Sequence, residues 1–250
     1  MRPLSATDLL DLWEQGLDRF PVEQGLLLLR SAHPEMPVAE LLRLPIGARD
    51  AELMRLREKT FGASVTALAH CPNCGEQVEI GFSLQDLDST RAVSSEPPAI
   101  PPDTKLERLS ISGFELAFRL PGTADLLNLP TDKESARLAL LEACLVEASH
   151  QDQPIRAADL PQQVIQALTD RLEKADPLAD VRMPLTCPAC DYHWELVFDI
   201  VSFFWSEINA WAQRLLREVH VLASAYGWSE TEILSMSAWR RQRYLELVGL

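Results

Sequence analysis

The chain has 250 residues, 47% apolar and 24% charged, an ordinary globular balance with room for one large or two small units. Its net charge of −14 counts against a sequence-independent grip on nucleic acid, which works by neutralising phosphates with cations. No apolar run approaches the ~18–20 residues of a membrane helix, and Met1–Ser5 lacks the apolar stretch of a secretion signal, so the expected setting is cytoplasmic, where thiols stay reduced.

In chain order, Ser5 with Asp8 reads as a helix cap before Leu9, Leu10, Leu12 and Trp13, with Gly16 as the stop. A second helix runs from Pro21 to Arg30. Pro37 opens a short one over Val38–Leu44, and Pro45 closes it. Residues 47–60 read as a charged helix with Leu53, Leu56 and Phe61 inward and Gly62 as its end. Val65–Ala69 and Val78–Phe82 form the arms of a hairpin. The Ser-, Pro- and Thr-rich stretch 89–105 reads as a loop. Gly113 turns a second hairpin between Leu109–Ser112 and Phe114–Phe118. Helices are predicted over 134–148 and 161–175. Pro177 and Pro184 bracket a return to extended chain, and Trp194–Phe198 is another hairpin arm. Phe204, Ile208, Trp211, Leu215, Val219, Leu222 and Tyr226 then form one helical seam, ended by Gly227. Ser229 with Glu232 caps a short helix, and Ser237 starts the last.

Two Cys-Pro-x-Cys pairs carry the chemistry: Cys71-Pro72-Asn73-Cys74, completed by Gly75, and Cys187-Pro188-Ala189-Cys190. A tight turn between two cysteines aims both thiolates at one ion, and two such turns supply the tetrahedral shell of a structural Zn²⁺. Residues 75–186 separate the pairs, far more than the ~15–20 residues of a compact zinc ribbon. Closure entropy grows only with the logarithm of loop length, whereas structural zinc returns on the order of 10–16 kcal/mol. The balance favours one shared site over two half-sites completed by other chains, or over disulfides. Neither pair opens a helix beside a βαβ unit, as a thioredoxin-like redox role requires. His70 and His193 flank the pairs and read as hairpin-arm residues. The fifth cysteine, Cys144, lies in the apolar run Leu138–Val146 and reads as a buried thiol. No nucleophile elbow, phosphate loop or H-E-x-x-H helix is present, so no enzyme is expected.

The strip Arg49–Glu58 is dense in both signs of charge. It reads either as a solvated helix face with i,i+4 pairs or as a docking face, with Arg49 and Arg55 the candidate partner contacts. Arg240 and Arg241 near the C-terminus pose the same choice. Of the tryptophans clustered late in the chain, Trp211 fits the helical seam, and Trp205, Trp228 and Trp239 read first as packing residues.

The predicted architecture is α+β and mainly helical. An N-terminal helical region, 1–63, precedes a split, zinc-ribbon-like pair of hairpins bridged by zinc, 64–88 plus 182–200. A mixed α/β insertion occupies 103–176, and a helical C-terminal region follows over 201–250.

Four strings, in order, carry a resemblance. They are Leu44–Leu53 followed by Leu56-Arg57-Glu58 and Phe61-Gly62; Cys71–Glu76; Phe118-Arg119-Leu120-Pro121 with Asp125-Leu126; and Tyr226–Glu230 with Ile233-Leu234, Arg240-Arg241 and Tyr244-Leu245. From about Leu10 to Val248 the chain resembles the baseplate proteins of T-even-type phages, the baseplate hub assembly chaperone family, whose relatives occur in contractile injection system gene clusters. The resemblance implies a non-enzymatic role in building a contractile tail-like particle. It implies baseplate or hub proteins as partners and supplies no catalytic residues. The zinc expectation rests on the cysteine spacing alone. The rival readings are a zinc-ribbon adaptor for nucleic acid or transcription machinery, and a thiol redox enzyme.

Overall fold

The computed structural model describes residues 4–88 and 106–249; the predicted loop 89–105 lies outside the described residues. Helix α1 (Ala6–Gly16) starts with the expected reciprocal cap. The Ser5 hydroxyl accepts from the Asp8 N–H, and the Asp8 carboxylate accepts from the Ser5 N–H at 2.8 Å. Gly16 leaves room for the Trp205 ring, which would lie 2.1 Å from any Cβ there. Helices α2 (Pro21–Ala32), α3 (Val38–Arg43) and α4 (Ile46–Phe61) follow.

These helices meet the first half of a much longer one, α9 (Ile200–Tyr226), in the principal core. Leu28, Leu29, Leu41, Leu53, Leu56, Phe204 and Ile208 are fully buried there. Each contributes roughly 1.5–3 kcal/mol by leaving water.

The antiparallel hairpin β1 (Ser64–His70) and β2 (Gln77–Ser83) rises from this core. Val65 and Ile80 are buried, while its tip is largely exposed. Helix α5 (Leu84–Asp88) follows at once and returns Leu84 to the core. A matching hairpin, formed by strands 181–186 and 193–198, stands at the far end of the insertion.

Within the insertion, β3 (Glu107–Ile111) and β4 (Phe114–Phe118) turn at Ser112 and Gly113, whose φ values are +52° and +81°. Two left-handed residues in succession match the twist of paired strands. Helices α6 (Thr123–Leu126) and α7 (Lys133–Cys144), strands β5 (Leu145–His150) and β6 (Gln153–Pro154), and helix α8 (Gln162–Ala175) complete it. The sheet order is β3-β4-β5-β6, antiparallel throughout. Phe114, Leu116 and Phe118 alternate onto one face and pack with Leu141, Val164 and Leu168 from α7 and α8.

One helix prediction needs correcting here. The helix expected over 134–148 ends at Cys144, and Leu145–His150 is a strand. The edge of β4 away from β3 needs a partner, and β5 supplies it, with Leu116 opposite Ala148.

The insertion docks back onto the N-terminal helices. The Ile46 N–H donates to the Pro121 carbonyl at 3.0 Å, Pro45 bridges Gly122, and the Gly47 N–H donates to the Asp176 carboxylate at 2.9 Å. A side chain at Gly47 would put its Cβ 2.0 Å from that carboxylate. Beside this contact the Arg119 guanidinium makes two 2.7 Å bonds to Asp125 and holds that carboxyl below its usual range.

Strands β7 (Val181–Thr186) and β8 (His193–Phe198) form the second two-stranded hairpin and lead into α9. Pro184 is tolerated there because each strand of a two-stranded sheet has a free edge. Gly227, at φ +69°, caps α9 by donating to the Ala223 carbonyl. Helices α10 (Glu230–Leu234) and α11 (Ala238–Leu247) fold back on it, burying Leu222, Ile233 and Leu245. Trp228 stacks on Tyr226 at 4.4 Å and meets Tyr244 edge-on, whereas Trp239 stays largely exposed beside Arg243. The fold is thus mixed α/β, mainly helical, with small sheets. No described helix is long and apolar enough to cross a membrane.

Candidate metal centre

The tips of the two cysteine hairpins are the same turn built twice. The Cys71 N–H donates to the Glu76 carbonyl at 2.8 Å, and the Cys187 N–H to that of Tyr192 at 2.9 Å. The Cys71 carbonyl accepts from the Gly75 N–H at 2.9 Å, and that of Cys187 from the Asp191 N–H at 3.0 Å. Gly75 and Asp191 both take positive φ, +77° and +55°, to close the turn. Glycine does so without steric penalty, and aspartate is among the few side chains that tolerate it. The backbone N–H groups of Glu76 and Tyr192 then point at the sulfurs of Cys74 and Cys190.

The turns face each other. Cys71, Cys74, Cys187 and Cys190 place their four sulfurs within 4.8 Å of one another. The Sγ–Sγ distances are 3.7 Å for Cys71–Cys190 and 3.6 Å for Cys74–Cys187. A regular tetrahedron around a metal with ~2.3 Å metal–sulfur bonds has edges of about 3.8 Å, so the shell fits a four-coordinate ion. Cys71 and Cys187 are buried, and Cys74 and Cys190 lie on the outer side.

The electrostatics are compatible with a bound cation. The Asn73 amide and the Tyr192 N–H hold the Cys190 thiol down to about 6. At Cys74 the Glu76 N–H favours the thiolate, but the neighbouring sulfurs, Cys190 first, push it up to about 12. Four thiolates this close do not ionise together unless positive charge stands between them. Four cysteine sulfurs at these distances could hold such an ion.

Neither flanking histidine enters the shell. His70 is exposed at the end of β1, and His193 Nδ1 lies 2.8 Å from the Thr186 hydroxyl. Cys144 is buried well away in the insertion core, and burial pushes its thiol up to about 11. Below the sulfurs the hairpins meet again, where Phe82 and Phe198 pack edge to face at 5.2 Å. The pair is therefore joined at tip and base.

Most of the charged strip of α4 turns into the fold: Arg49, Asp50, Glu52 and Arg57 are buried. Arg49 bonds Asp50 at 2.7 Å. Burial raises the Asp50 carboxyl to about 6; Arg49 pulls it down, while Asp199 and Asp176 push it up. Arg55, half-buried, pairs with Glu52, which also meets His33 at 2.9 Å. Arg241 is buried between Glu218, at 3.2 Å, and the Met236 carbonyl. Arg240 is exposed and lies over the Tyr244 ring. Of the four arginines singled out as partner contacts, only Arg55 and Arg240 reach solvent.

Sequence reading missed Arg57, whose guanidinium bonds Glu207 of α9 and the carbonyls of Gly62 and Ser64. Its position one residue after Leu56 and four after Leu53 is the available signal. That is a core position of the helix, where a charge must be paired.

The model of the T4 bacteriophage base plate protein family matches residues 31–205, a span that includes both cysteine turns. No curated protein and no solved structure matches the chain. The match covers well over half of the sequence, and on that ground the chain belongs to the T4 bacteriophage base plate protein family.

Proposed function

We propose that this chain is a non-enzymatic baseplate or baseplate-hub assembly protein of a phage-like contractile injection system, braced by one structural Zn²⁺ on Cys71, Cys74, Cys187 and Cys190. Family membership supports the baseplate role. The observation that carries the zinc assignment is the closed four-sulfur shell, whose two halves come from opposite ends of a long insertion. All-thiolate tetrahedral sites suit zinc, and four protein ligands leave no open position for substrate, so the ion serves architecture.

In this reading the divisions predicted from the sequence act together. The split hairpins tie the insertion to the helical regions before and after it, and the chain works in the bacterial cytoplasm while the particle is built. Its partners are baseplate or hub proteins, met through surfaces that include Arg55 and Arg240. Arg49 and Arg241, bonded inside the chain, hold those surfaces in place. The hairpin arms carry Glu76, Glu79, Asp191 and Glu195, the wrong charge for the nucleic-acid adaptor reading.

Pull-down of the tagged chain from cells assembling particles tests the role. Recovery of baseplate or hub proteins, reduced by Arg240→Glu, is the expected result. Recovery of nucleic acid alone would overturn it.

A further inference from the structure

The outward side of α9 carries a feature apart from the metal centre, at the margin of the principal core. Phe61, at the end of α4, packs edge-on against Phe204 at 5.9 Å. Beside it opens a groove of about 510 Å³ lined by Phe61, Glu207, Ala210, Trp211, Arg214 and Arg217. The α9 residues recur at helical spacing, so the groove runs along the helix for about 15 Å, roughly three turns of a partner helix.

Its charge is one-sided. Glu207 is neutralised by Arg57, with bonds of 2.9 and 2.6 Å. Arg214 and Arg217 are exposed one turn apart, and among the described residues they make no hydrogen bond or ion pair. The groove thus presents two free guanidiniums beside two aromatic side chains on a chain whose net charge is −14.

We infer that this groove docks an acidic amphipathic helix of another protein. Its apolar side chains would rest on Phe61 and Trp211, and its carboxylates would bond Arg214 and Arg217. Arginine forks match carboxylates with two parallel hydrogen bonds, and tryptophan and arginine dominate the energetic centres of interfaces. An amphipathic helix lying in a groove is an established mode of peptide recognition. The overall negative charge does not oppose so short a ligand, because fields are screened beyond about 8 Å at physiological salt. A nucleic acid would meet the acidic surface along its whole length. The inference stands independently of zinc and of the baseplate role.

The test uses the full chain and a fluorescent amphipathic peptide of about five helical turns, with leucines on one face and glutamates beside them. A second peptide carries lysine in place of every glutamate. Anisotropy should show the glutamate peptide binding at least about tenfold tighter, and weakening as salt is added. The double variant Arg214→Glu/Arg217→Glu should lose about tenfold or more in affinity with its unfolding midpoint unchanged. Reversing two exposed arginines elsewhere, Arg43→Glu/Arg108→Glu, should leave binding intact. Absence of glutamate-peptide binding, binding that survives the double reversal, or tighter binding of a single-stranded oligonucleotide through the same arginines would overturn the inference. None of these results bears on family membership or on the metal centre.

Discussion

Arg57 and Glu207 lie 150 residues apart in sequence and meet through two hydrogen bonds, of 2.9 and 2.6 Å, across the joint between α4 and α9. The same guanidinium donates to Gly62 and Ser64 and lies over the Phe203 ring at 5.6 Å. It fixes the end of α4, the start of the first hairpin and the long helix at one point. Replacing it by alanine leaves a carboxylate and two carbonyls without their donor. Arg57→Ala should cost about 3–5 kcal/mol, read as a lower denaturant midpoint at unchanged slope. Arg57→Lys should recover only part of this, because an ammonium cannot form the planar fork.

The proposed metal centre predicts an equivalence. Cys74→Ser and Cys190→Ser remove corresponding ligands from opposite hairpins, so each should release the ion and destabilise the chain similarly. Metal analysis should find about one zinc per chain in the parent protein, lost on chelation together with cooperative folding. If one of the two variants keeps its metal, the shared site is wrong.

The two turns should differ in tolerance to mutation. Gly75 has φ +77°, so Gly75→Val should cost about 1–2 kcal/mol or more and weaken metal retention. Asp191→Gly should change stability by no more than about 1 kcal/mol, because glycine fits φ +55° and loses only its unfolded-state freedom. Thermal unfolding of the metal-loaded variants checks both.

Asp50 gives a pH dependence of unusual sign. Folded, it keeps its proton up to about pH 6; unfolded, only to about pH 4. Between those values the folded chain binds more protons, so this residue's contribution to stability falls as pH rises, by at most on the order of 2–3 kcal/mol. Asp50→Asn stays neutral and can still accept from Arg49, so the parent should lose stability relative to the variant across that window. Loss of the proposed ion on acidification would be common to both proteins. Urea midpoints at pH 4–7 give the difference, and parallel curves would refute the assignment.

The clustering of the four cysteines was the most legible part, because a Cys-Pro-x-Cys turn is local and its meaning survives any intervening length. Ser5 with Asp8, Gly113, Gly227 and Ser229 with Glu232 were legible for the same reason: each acts within a few residues. Leu145–His150 was not, because the run Leu138–Val146 satisfies a buried helix and a strand alike, and the decision lies with an unpaired edge on β4. The buried charges of α4 were hidden for the opposite reason. Their composition says surface, and the carboxylate that pairs with Arg57 inside, Glu207, lies 150 residues away.

The paired cysteine turns also set an order on biogenesis. Cys71 and Cys74 leave the ribosome long before Cys187 and Cys190, and the half they form offers an ion only two thiolates. The shell closes only once the whole insertion has been made and has returned, just as α9 begins to emerge to cover α1, α2 and α4. With the proposed ion bound, tight retention would mark a chain whose synthesis is complete, a mark that a truncated chain would lack.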